Sequence, residues 1–232
     1  MMARRPASKA LSPIRDVAAE EEAKFLKMNE IARLSAYLAR EIENLSGTLI
    51  STLGVPIERA SPIWRGLRAL CAVRVLLRTG LRRFEFCALT CADFEDGAEP
   101  RLWTVGKGAR RHYVPLPAQA TEAIREWMNF KHGVGESADP GAPLFCGREG
   151  EFMSFELLRQ DWARVLRDAG LPTYRLHASR HSAGLIVLAA TGDLHKVARF
   201  LRHEGTSVTQ RVYAHVDAGE LRRELSSVRI WP

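Results

Sequence analysis

The chain has 232 residues, 46% hydrophobic and 26% charged, which suits one well-packed soluble domain with at most a short arm. Lys and Arg outnumber Asp and Glu by 34 to 27, and a basic balance favours polyanion partners, chiefly nucleic acid. The longest apolar run, Leu185 to Ala190, is far short of a bilayer crossing, and the basic N-terminus lacks an apolar signal core. No membrane partner is expected, therefore, and the chain is expected in the cytoplasm.

Residues 1–18 are polar and basic, with two prolines and no periodicity, and are read as a flexible basic arm. Residues 19–232 are read as one folded domain. From Glu21 a helical pattern sets in, with Ile31, Leu34, Leu38, Ile42 and Leu45 on one face. A loop around Gly54, Pro56 and Pro62 follows. The next helix is expected to bury Ile63, Leu67, Leu70, Cys71 and Leu77 and to end at Gly80. Cys87 and Cys91 lack a second pair at zinc spacing, so the four cysteines read as small reduced core residues and no metal is expected.

Residues 101–116 change character. RLWTV and RRHYVPL are β-type runs around Gly106-Lys107-Gly108, which predicts a hairpin with Lys107 at its tip. A helix from Pro117 to about Lys131 comes next, then a Gly/Pro/Ser/Asp loop. At least four helices fill the rest. The first carries Leu158, Trp162, Val165 and Leu166 and the second starts at His177; the third carries Leu194, Val197 and Leu201, and the fourth holds Val212 and Tyr213. The sum is a mainly α domain with a small antiparallel β element.

The polar residues at the ends of these elements suit phosphoryl transfer at a phosphodiester. Arg82 and Arg180 offer planar forks matched to phosphate oxygens, and fixed donors count most where negative charge develops in the transition state. His177 and Arg180 lie one helical turn apart and share a face. A lysine can protonate a departing oxygen, and a histidine can accept a tyrosine proton or hold the phosphate. A tyrosine hydroxyl ionises only near pH ~10, and neighbouring cations favour its ionised form.

TGLRRFE (79–85), GKGARRHYVPL (106–116), LHASRH (176–181) and LRHEGTSVTQRVYAHV (201–216) resemble, in order, the four motif blocks of the tyrosine recombinases, or phage-type integrases. The resemblance implies the catalytic-domain fold of these DNA breaking and rejoining enzymes. It implies Tyr213 as nucleophile, Arg82 and Arg180 as paired phosphate ligands, Lys107 as general acid, and His177 and His203 as further catalytic groups. Glu85 and His181 match supporting positions. Arg110, Arg111 and Arg202 are expected to bind DNA. Leu201-Arg202-His203 stands where the family usually has Leu-Gly-His, and the interval from His203 to Tyr213 is one residue longer than usual.

The implied partners are double-stranded DNA and a homotetramer assembled on two DNA sites, with residues 217–232 docking on a neighbour and an accessory DNA-bending protein as a further partner. No cofactor is implied. Many members carry a separate DNA-clamping domain before the catalytic one. Here about 20 residues precede the first catalytic-type helix, as in the short members built of a catalytic domain alone; a truncated integrase is the alternative. An accessory DNA-binding protein and a type IB topoisomerase-like enzyme are the competing functions on the same fold.

Overall fold

The computed structural model describes residues 25–51, 61–106, 111–203, 206–213, 216–217, 219 and 221–223. Its elements run α1 (Met28–Ser51), α2 (Pro62–Thr79), α3 (Arg83–Cys87), β1 (Phe94–Glu95), β2 (Arg101–Val105), β3 (Arg111–Val114), α4 (Ala118–Gly133), α5 (Phe155–Asp168), α6 (Ala178–Thr191), α7 (Leu194–Leu201) and α8 (Thr206–Tyr213). The expected arm, residues 1–18, lies outside the described residues, as do Lys107 and Arg110 at the hairpin tip.

A helix that is apolar nearly all round has to be covered on every side, and α2 is one. It packs against α1, α4, α5 and α6. Ser61 caps its start, accepting from Trp64 N at 3.2 Å, with Pro62 in the first turn. This register buries Trp64 completely and leaves Ile63, an expected core residue, only half-buried. Arg68 is also buried, under the ring of Trp64, and its charge is answered by Asp161 of α5 at 2.8 Å. Burial of such a pair demands that each lone charge keep its partner, so the contact fixes α5 against α2.

The far end of α2 matters most for function. Gly80 closes it in the left-handed conformation (φ 59°), and its N–H returns to Leu76 O at 3.0 Å. A Cβ added to Gly80 would lie 2.7 Å from Leu201 Cδ2. Glycine is thus required twice, for its φ and for the approach of the end of α7. The predicted cap is observed, and it draws α2 and α7 together.

The sheet has the order β1-β2-β3, antiparallel throughout, with Leu102 opposite Val114 and Trp103 opposite Tyr113. Leu102 and Thr104 of β2 face inward while Arg101 and Val105 face out, the period-two pattern of a one-sided strand. All four cysteines are buried and free, in line with the expected reduced core residues.

Candidate active site

Arg82 stands two residues beyond the Gly80 turn, at the start of the short helix α3. Its main-chain N–H donates to Glu85 Oε2 at 2.7 Å, and its side chain donates to Glu85 Oε1 at 2.9 Å and to Arg202 O at 3.1 Å. Glu85 is fully buried. Burial alone raises its pKa, but the charge of Arg202 and the hydrogen bonds from Arg82 and Arg202 outweigh that and hold its carboxyl below the usual range.

Arg202 is the non-glycine residue with positive φ among the described residues (φ 55°). It ends α7 in a Schellman turn: His203 N bonds to Ala198 O and Arg202 N to Arg199 O. Glycine suits this position because left-handed backbone costs other residues roughly 1–2 kcal/mol. The Leu-Arg-His departure from the family pattern therefore falls on a strained residue. Its guanidinium turns inward, donating to Glu85 Oε2 at 2.8 Å, with its side chain only 12% exposed. Arg202 is expected to bind DNA; in the structure its guanidinium donates to the buried carboxylate of Glu85.

The segment before α6 brings in His177, at the N-cap position, and Arg180 one turn later. Arg180 is buried and donates to two main-chain carbonyls, Gly80 O and Leu201 O, so one side chain ties the ends of α2 and α7. Burial, then Arg82 and Arg202, lower its pKa, yet a guanidinium keeps its proton at neutral pH. His177 and His181 meet edge to face at 4.6 Å between ring centres.

His203 Nδ1 and Thr209 Oγ1 lie 2.8 Å apart, which joins the end of α7 to α8. Burial, Arg180, Arg82, His177 and Arg202 push the pKa of His203 down to about 4. Burial, Arg180, Arg82 and Arg83 lower that of His177 as well. Between about pH 4 and 6.5 the unfolded chain therefore binds more protons at His203 than the folded one. The contribution of His203 to stability is complete above about pH 6.5 and is lost as pH falls toward 4. The expected outcome is that His203→Gln loses less thermal stability than wild type between about pH 7 and pH 5; equal losses would refute the assignment.

Tyr213 ends α8 and is buried, 1% exposed. Its hydroxyl donates to the main-chain carbonyl of His181 at 3.1 Å. The ring lies against Gly184 of α6, where a methyl group would overlap the hydroxyl. Burial raises the Tyr213 pKa, against the opposing charge of Arg180. His181, an expected supporting residue, accepts from the Tyr213 hydroxyl through its main-chain carbonyl.

Arg82, His177 and Arg180 line a cleft of about 1200 Å³. Arg83, Arg159 and Arg175 line it too, and the sequence reading missed them. Arg83 lay in plain view beside Arg82, and its guanidinium stacks over the Phe155 ring at 5.2 Å. Arg111 lies elsewhere, on β3 over the Trp103 ring at 4.7 Å, and half of its side chain stays exposed. No group of His, Cys, Asp and Glu able to hold a metal occurs among the described residues. No helix among them is long and apolar enough to cross a membrane.

Comparison with protein-family profiles matches residues 58–220 to the phage integrase family. The chain belongs to the phage integrase family. This phage integrase family chain is 32% identical to the tyrosine recombinase XerC of Rhizobium meliloti over 159 residues, covering 68% of this chain and 48% of the relative. It is 30% identical to the tyrosine recombinase XerC of Corynebacterium glutamicum over 194 residues, covering 82% and 61%. The chain spans about half the length of most of the curated relatives it matches.

Among solved structures, the XerH site-specific recombinase in a post-cleavage complex with palindromic difH substrate aligns with a TM-score of 0.65 at 21% identity, over 94% of this chain and 57% of that one. The XerA recombinase aligns with a TM-score of 0.64 at 19% identity, over 90% and 66%. A lambda integrase dimer bound to a core site aligns with a TM-score of 0.54 at 14% identity, over 82% and 58%. These likenesses establish the recombinase catalytic-domain fold for this phage integrase family member.

Proposed function

We propose that this chain is the catalytic part of a site-specific recombinase that cuts and rejoins double-stranded DNA through a 3′-phosphotyrosine at Tyr213. One observation carries the reading: Arg82, His177 with Arg180, His203 and Tyr213 come from four segments and converge at one end of α2. Tyr213 gives its phenolic proton to a site histidine, His177 or His203, as its oxygen attacks phosphorus; the bond to the 5′ oxygen breaks, and that oxygen takes up a proton. Lys107 is the proposed proton donor. Arg82 and Arg180 hold the non-bridging oxygens as their charge grows. The 5′ hydroxyl of a partner strand then attacks the phosphotyrosine and releases the tyrosine, so the bond energy is conserved without a nucleotide cofactor.

Residues 19–232 form the proposed catalytic domain and residues 1–18 a basic arm on DNA. The working assembly is four protomers on two DNA sites in the cytoplasm, with residues 217–232 docked on a neighbour and an accessory DNA-bending protein assisting. The palindromic substrate of XerH favours such symmetry, because a two-fold site calls for paired protomers. Arg83, Arg159 and Arg175 extend the phosphate grip along the cleft. The test is capture on nicked duplexes of randomised sequence. The expected result is a covalent protein–DNA adduct on a denaturing gel, whose captured DNA reports the target site. Salt-sensitive binding with no adduct would make the protein an accessory DNA-binding factor.

A further inference from the structure

Arg82 needs free donors if it is to grip phosphate, yet it stands beside a buried carboxylate. A carboxylate with a single arginine partner frequently takes it as a two-pronged fork. Glu85 does not. Its Oε1 receives one Arg82 nitrogen at 2.9 Å, while Oε2 is taken by Arg82 N at 2.7 Å and by Arg202 at 2.8 Å. The second Arg82 nitrogen is drawn away to Arg202 O at 3.1 Å. No partner holds Arg82 Nε among the described residues. Residue 202 thus acts on Arg82 twice, through its carbonyl and through its share of Glu85. It does so from a left-handed position that glycine would occupy without strain.

We propose that Arg202 is a positioning residue: its guanidinium shares Glu85 Oε2 and its carbonyl draws off the second Arg82 nitrogen, and together these keep Arg82 from closing into a two-pronged pair with Glu85 and leave it turned toward the cleft. Arg202 is also the strongest opposing charge that keeps Glu85 ionised. The inference rests on the recombinase reading above.

The experiment is single-turnover cleavage of the captured site by wild type, Arg202→Gly and Arg202→Lys, with DNA affinity measured in parallel. Glycine relieves the backbone, so a folded variant is expected; Arg202→Lys keeps a cation within reach of Glu85 and serves where Arg202→Gly does not fold. The Arg202→Gly cleavage rate is expected to drop about tenfold to hundredfold, the scale of losing a group that orients a direct ligand. DNA affinity is expected to stay within about threefold, and Arg202→Lys to recover much of the rate. The acid limb of the pH–rate profile is expected to move to higher pH in Arg202→Gly, because Glu85 loses its main counter-charge. Cleavage within about threefold of wild type together with an unmoved acid limb would overturn the positioning role. A wild-type protein that yields no adduct would overturn the recombinase reading instead.

Discussion

Tyr213→Phe is expected to bind DNA as tightly as wild type and never to yield a covalent adduct. The substitution removes one oxygen atom. In the folded protein that oxygen makes a hydrogen bond to His181 O at 3.1 Å, worth about 0.5–1.5 kcal/mol. For a domain of this size the loss corresponds to a few degrees in Tm, about 2–4 °C per kcal/mol. The ring stays against Gly184, and no phosphate ligand in the cleft is touched. Binding and folding therefore survive, while the proposed bond to phosphorus has no atom from which to form. A denaturing gel after capture on nicked duplex checks this. An adduct formed by Tyr213→Phe would remove Tyr213 from the role and redirect attention to another tyrosine.

Arg180→Ala is expected to lower the cleavage rate by about 10² to 10³, the loss seen when one preorganised donor is removed from developing charge. It carries a second, separable effect. The Arg180 side chain ties Gly80 O to Leu201 O, so its removal loosens α7 from α2 and leaves two buried carbonyls short of a donor. Thermal unfolding and single-turnover rate report the two effects independently. Arg180→Lys keeps the charge but cannot span both carbonyls with a planar fork, so it separates charge from geometry. A rate loss in Arg180→Ala below about threefold, under 1 kcal/mol of barrier, would refute the role.

Much of this was legible in the sequence because it depends on periodicity and on glycine. The apolar stripes of α1 and α5 are the observed buried faces, and the Gly80 cap is where Thr79-Gly80-Leu81 placed it. The hairpin strands follow from alternation at 101–105 and from the run ending at Val114. Short pieces escaped. α3 has five residues and β1 has two, too few to show a period. Ile63 lies only half-buried because the Ser61 cap sets the angle of the first turn, which hydrophobicity alone does not reveal.

Which residues gather at the end of α2 was more legible than how they bond to one another. Arg82, His177, Arg180 and Tyr213 stand out as residue types within recognisable blocks. The inward turn of Arg202 was hidden, because an arginine at a helix end reads as a solvated charge until its φ and its carboxylate partner are known. The partner of the Tyr213 hydroxyl was hidden for another reason: it is a main-chain carbonyl, which every residue possesses.

That last contact bears on the safety of the genome. The cationic cleft is suited to holding any DNA backbone, since phosphates look alike whatever the sequence. A protomer wandering along a chromosome would therefore grip many wrong places. Under the proposed reading, a protomer whose Tyr213 stays packed between Gly184 and the His181 carbonyl would hold them without breaking them. On that reading the hydroxyl of Tyr213, a residue 1% exposed, would have to be drawn out before any strand is at risk.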